Sequence, residues 1–158
     1  MEKQKNSRGC FLCGRQNPIG LKMSWYNDRE AQCITASVTV PEHFNSYPGV
    51  VHGGIVAALL DETAGRSILL VDDRDDNLMV TARLEIRYRL PVPTGQPITL
   101  PGKTLQYTGT RAKVRTEVLL ADGSVTAEAE ALLLRPPAEP LATAQEARPD
   151  WKVYAPPE

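Results

Sequence analysis

Residues Gly53 to Val71 are the only part of the 158-residue chain that reads as a long helix, and strand-like segments flank them on both sides. Downstream the apolar residues recur with period two. Ala82, Leu84, Ile86, Tyr88 and Leu90 fall on one face of a strand, against Arg83, Glu85, Arg87 and Arg89, until Pro91, Pro93 and Gly95 end it. Residues 97–108 read as the next strand, ending at Gly109. Ala112, Val114, Thr116, Val118 and Leu120 then alternate with Lys113, Arg115 and Glu117. The turn Ala121-Asp122-Gly123-Ser124 is a strong hairpin signal, followed by an inward series of Val125, Ala127, Ala129, Ala131 and Leu133. Upstream, residues 21–26 and 30–40 read as two strands around the turn Asn27-Asp28-Arg29.

Two strands, one helix and four strands give an α+β domain: an antiparallel sheet with one face to cover and a single helix to cover it. That domain is expected over residues 21–135. Residues 1–20 read as a polar arm and loop, broken by Gly9, Gly14, Pro18 and Gly20. Residues 136–158 hold six of the 13 prolines and read as a tail without regular structure, pinned by Trp151 and Tyr154.

Charge excludes some partners. Lys plus Arg number 18 against 19 Asp plus Glu, so no net field recruits nucleic acid or an anionic membrane surface. The longest apolar stretch, residues 53–60, is too short to span a bilayer and runs into Asp61 and Glu62. No apolar run follows the first five residues, so a secretory signal is not expected. Three cysteines argue against a disulfide framework and for a reducing compartment, hence the cytoplasm.

At about 100° per residue, Asp61 shares a helix face with Gly54, Ala57, Ala58, Ala64, Gly65 and Ile68, a small apolar stripe. Glu62 lies about 100° away with Arg66 four residues on, which reads as a solvated i,i+4 pair. Asp61 has no such partner. It fits a polar contact at a subunit interface and it fits a catalytic carboxylate, and the residues alone leave both open. His52-Gly53-Gly54 stands where loop becomes helix. Glycines there let a ligand approach the backbone, and the unpaired N–H groups of a first turn favour developing negative charge. Gly53 and Asp61 are eight residues apart, about 12 Å along one helix, so both cannot reach one reacting carbon in the same subunit. If both act, a second copy supplies one of them, across a two-fold interface.

These residues also form an ordered set. It comprises Pro48-Gly49-Val50-Val51-His52-Gly53-Gly54, Asp61 nine residues after the histidine, and Thr81 opening a strand that runs to Pro91. The turn Gly109-Thr110-Arg111, the Asp122-Gly123 hairpin and the leader Cys10-Phe-Leu-Cys13-Gly14 with Asn17-Pro18-Ile19-Gly20-Leu21 complete it. The set resembles the hotdog-fold acyl-CoA thioesterases of the PaaI-like, 4-hydroxybenzoyl-CoA thioesterase superfamily, from about residue 10 to residue 134. The resemblance implies an antiparallel sheet wrapped around one long central helix and a homo-oligomer, dimer or tetramer. It implies that the Gly53 N–H polarises a thioester carbonyl and that Asp61 of a neighbouring subunit acts as general base or nucleophile. Thr81 would orient the water, and His52 would shape the loop. Gly54, Val80, Ala82, Gly109, Thr110 and Arg111 would line the substrate and coenzyme A path. Relatives often carry Asn or Gln a few residues before His-Gly-Gly; here the nearest is Asn45, seven residues before His52.

Coenzyme A enters only as part of the substrate, and no cofactor is expected. Arg111 and Lys113 are candidate phosphate contacts by analogy with the family, with Arg83, Arg87 and Arg89 as a second group; an ordinary solvated sheet face is the competing reading for all five. Cys10-x-x-Cys13 could be half of a zinc site, but only Cys33, His43 and His52 remain as strong donors. Packing of small thiols is therefore the reading taken, with no metal. Three functions fit: acyl-CoA thioester hydrolysis, hotdog hydration or dehydration (His43 has no evident partner for it), and non-catalytic acyl-CoA binding.

Overall fold

A computed structural model describes residues 1–74, 77–137 and 151–154. In chain order the elements are β1 (Glu2–Lys3), β2 (Trp25–Asp28), β3 (Cys33–Thr39), β4 (Asn45–Tyr47), β5 (Val50–Val51) and α1 (Gly53–Val71). After the helix come β6 (Val80–Tyr88), β7 (Pro97–Tyr107), β8 (Arg111–Leu119) and β9 (Val125–Leu134). Seven strands form one antiparallel sheet in the order β1-β2-β3-β7-β8-β9-β6, and β4 pairs with β5 separately. The expected sheet with one long helix packed on it is observed. No helix is long and apolar enough to cross a membrane among the described residues.

Both helix ends have local causes. His52 caps the start, its Nδ1 accepting from the Gly54 N–H at 2.9 Å, and the Asp72 N–H closes the end on the Ile68 carbonyl at 2.8 Å. One helix face buries Val56, Leu59 and Leu60 against Trp25, Ile34, Leu100 and Val118. Further along, Ala64 and Ile68 meet Ala112, Val114, Ala131 and Leu133. Gly102 on β7 allows the close approach. A Cβ there would lie 2.4 Å from Ser67 Oγ and 2.9 Å from Thr63 Cγ2. The Ser67 hydroxyl is itself held by the Thr63 carbonyl at 2.9 Å. Gly102→Ala is expected to lower stability by about 1–3 kcal/mol, as overpacked cores do. Denaturant unfolding measures it, and an unchanged midpoint would contradict so tight a seam.

The structure corrects two local readings. The first hairpin turns at residues 29–32, not 27–29, and its first strand starts at Trp25. Gln32 takes φ 53°, and the Asp28 carboxylate accepts from the Ala31 N–H at 2.9 Å. Leu21 and Met23 instead bond the carbonyls of Phe11 and Leu12. Period two also fails inside β6. Thr81 pairs with Leu133, Arg83 with Leu132 and Leu84 with Ala131, so Ala82 is an extra, bulged residue and does not share the face of Leu84, Ile86 and Tyr88.

Parts of both chain ends pack on the domain. Gln4, Asn6, Leu12 and Cys13 are buried, and Asn6 exchanges backbone hydrogen bonds with Lys152. Trp151 lies against Arg66, its ring 5.2 Å from the guanidinium carbon. Most of the tail expected over 136–158, namely 138–150 and 155–158, lies outside the described residues, as do positions 75 and 76 of the charged loop.

Candidate active site

The bulge at Ala82 decides which way Thr81 points. Strict alternation from Leu84 would place Thr81 outward with Arg83, Glu85 and Arg87. The inserted residue moves it to the helix side, on the face of its partner Leu133. There the Thr81 hydroxyl donates to Asp61 Oδ1 at 2.6 Å, within one chain. Asp61 is half-buried, between half-buried Ala57, Ala58 and Gly65 and buried Ala64. The stripe read from the sequence therefore exists, and in a single chain it is only partly covered.

Eight residues toward the helix start, Gly53 occupies the first helical position. The Tyr88 hydroxyl donates to its carbonyl at 2.8 Å, and the Tyr88 ring stands 3.8 Å from where a Gly53 Cβ would be. In the sequence Tyr88 shows only as a strand residue on the face of Leu84 and Ile86. Gly54 N–H is taken by the His52 cap, so His52 and Gly54 build the turn together. Among the described residues the Gly53 N–H has no acceptor, as expected of a first-turn donor. Asp61 and Gly53 thus stay about 12 Å apart on one continuous helix.

A second residue without a sequence signal, Glu42, fixes the loop before His52. Its carboxylate accepts from the Thr94 hydroxyl, from Gly49 N–H at 2.9 Å and from Asn45 Nδ2 at 2.8 Å. Those bonds, the Thr94 one foremost, hold its carboxyl below the usual range. Asn45 is therefore a loop brace in this chain, and His43 stacks on Phe44 at 4.4 Å between ring centres.

The Gly109-Thr110-Arg111 turn has Gly109 at φ 86°, and Arg135 ties it by bonding the carbonyls of Gly109 and Thr110. Arg111, Lys113 and Arg83 do converge, around a hollow of about 180 Å3 on the outer sheet face. Lys113 pairs there with Glu130 at 3.0 Å and Arg83 with Glu85 at 3.5 Å. Arg89 is drawn instead to Glu128 at 2.8 Å. Val80 is exposed at the strand start beside Thr81.

The Glu62–Arg66 pair is a correction. Arg66 is 2% exposed, so the pair is not a solvated one. Its Nε bonds Glu62 Oε1 at 2.9 Å, its Nη1 bonds the Lys5 carbonyl, and its guanidinium lies over Trp25 at 5.1 Å. A cavity of about 800 Å3 runs from Asp61 and Thr81 to Glu62, Arg66, Cys10 and Cys13. The hydrogen bond with Cys10, then the Arg66 charge against burial, hold the Cys13 thiol below its usual value.

Comparison with known proteins fits this geometry. A family model described as "Thioesterase superfamily" matches residues 48–127, which include His52, Gly53, Asp61, Thr81 and the Gly109 turn. The protein SSO2140 of Saccharolobus solfataricus is 38% identical over 96 residues, 60% of this chain and 66% of that one. The acyl-coenzyme A thioesterase THEM4 of Mus musculus is 28% identical over 142 residues, 89% of this chain and 60% of that one. The alignments thus span about two thirds or less of these relatives' length. The crystal structure of RHA08564, a thioesterase superfamily protein, superposes with TM-score 0.71 at 28% identity, over 80% of this chain and 63% of that one. With just over half of its residues inside the family model and its helix and sheet arranged as in that neighbour, the chain belongs to the thioesterase superfamily and has its hotdog fold.

Proposed function

We propose that the protein hydrolyses acyl-CoA thioesters at sites shared between two copies of the chain. The observation that carries the reading is the 2.6 Å bond from Thr81 to Asp61 on a partly covered stripe of small residues. The bond orients the carboxylate and leaves Oδ2 for a water. The Thr81 oxygen has lone pairs left to accept from that water. Asp61 is then a general base, and the Gly53 N–H of the second copy receives the developing oxyanion.

Assembly is supported by β6, an edge strand with Val80, Tyr88 and the flanking Leu90 exposed at 42%, 52% and 50%. A nine-residue edge of this kind presents unpaired backbone groups and apolar area suited to a second copy. Ile68, Leu69, Met79 and Leu133 give the cavity beside Asp61 an apolar wall that fits an acyl or aryl chain. Arg111, with no ion-pair partner among the described residues, supports a contact to coenzyme A phosphate. A panel of short, medium and aryl acyl-CoAs, followed by free-thiol release, tests the reading. Turnover of at least one class is the expected result. Saturable binding of the panel without thiol release would favour the non-catalytic alternative.

A further inference from the structure

Folding supplies what the sequence lacked beside Cys10 and Cys13. The two sulfurs and a Glu62 carboxylate oxygen lie within 4.8 Å of one another. Tetrahedral zinc, with Zn–S near 2.3 Å and Zn–O near 2.0 Å, needs donor separations of about 3.5–3.8 Å, so small side-chain adjustments close the set. We propose that Cys10, Cys13 and Glu62 bind a thiophilic divalent cation, zinc by class, with the fourth position facing the cavity.

The surroundings are those of a ligand loop. The N–H groups of Leu12 and Cys13 both point at Cys10 Sγ, at 3.4 Å each, and the Ser7 hydroxyl stands 3.7 Å from Cys13 Sγ. Gly14 is required by the tightness of the loop, since a Cβ would lie 2.4 Å from the Cys10 carbonyl oxygen. Asn6 Nδ2 fixes the loop from behind, bonding the Cys13 carbonyl at 2.8 Å. The carboxylate is oriented as well: Arg66 Nε takes Glu62 Oε1 and leaves Oε2 for the metal. Two thiolates and a carboxylate around a divalent cation carry one net negative charge, and the buried Arg66 guanidinium balances it. Arg66 Nη2 is buried with no partner among the described residues, a donor suited to the charge of such a site. Sulfur donors favour zinc over magnesium or calcium. The metal would clamp the N-terminal loop onto α1 in the same cavity that Asp61 lines, and this holds whether or not the cavity hydrolyses thioesters.

The test uses the full chain, purified anaerobically with reductant and titrated with zinc against a chromophoric chelator. One zinc per chain is expected, with two of the three thiols protected from a thiol reagent. Cobalt substitution should give thiolate charge-transfer absorption, lost in Cys13→Ser. Glu62→Gln should weaken binding by at least roughly tenfold, the lower end of the loss when a residue that merely positions a ligand is removed. Zinc-edge X-ray absorption of the unaltered protein, which needs no variant to fold, should show two sulfurs at about 2.3 Å. Affinity weaker than about micromolar, a four-sulfur shell, or equal binding by wild type and Cys10→Ser would each overturn the site.

Discussion

Asp61→Asn is expected to lower kcat for acyl-CoA hydrolysis by at least roughly a hundredfold, within the usual range for a general base. The exchange keeps shape and removes charge. Asn Oδ1 still accepts from the Thr81 hydroxyl, so the 2.6 Å contact and the packing of the stripe are retained. What is lost is the basicity of the second oxygen. Thermal unfolding close to wild type, with thiol release nearly gone, is the combined result that separates a chemical role from a structural one. An Asn variant with wild-type turnover would remove Asp61 from the reaction and leave it as an interface contact.

Gly53→Pro should cost a comparable amount, about 10²–10³ in kcat, the loss seen when one oxyanion donor is removed. This is a narrow change. Proline is well tolerated at the first helical position because the N–H there has no intrahelical acceptor. His52, at φ −58° and ψ 133°, already has the conformation that precedes proline comfortably. A Cβ at Gly53 is accommodated too, meeting the Tyr88 ring at an ordinary contact distance of 3.8 Å. The helix should therefore form with its donor deleted. Circular dichroism checks the fold, and substrate kinetics read the donor. Unchanged kcat in a folded variant would mean that another group polarises the carbonyl.

The sequence carried the helix to the residue because its causes are local: a histidine able to cap, glycines at the start and apolar runs at both ends of the segment. The four later strands were legible for the same reason, with period two and the Asp122-Gly123 turn, where Gly123 adopts φ 84°. What stayed hidden depended on distant chain. Nothing near Thr81 announces the bulge that turns it toward Asp61, and a residue count alone assigns it to the wrong face. The i,i+4 spacing of Glu62 and Arg66 was visible. Their burial was not, since Trp25 and Trp151 come from far away in the chain to place their rings 5.1 and 5.2 Å from the guanidinium carbon. Glu42 and Tyr88 belong to no motif, and only the fold brings them to the His52 loop. Cys10 and Cys13 gained Glu62 in the same manner.

Mixing the two inactive variants is the decisive measurement, because each carries the half that the other lacks. Asp61→Asn and Gly53→Pro proteins, combined under conditions of subunit exchange, form hybrids with one repaired site and one doubly defective site. For equal amounts of a two-fold dimer, half the dimers are hybrids and each has one working site, so about a quarter of wild-type activity should return. Native mass spectrometry can confirm that hybrids are present. Hybrids that stay as inactive as their parents would show that Asp61 and Gly53 do not meet across an interface.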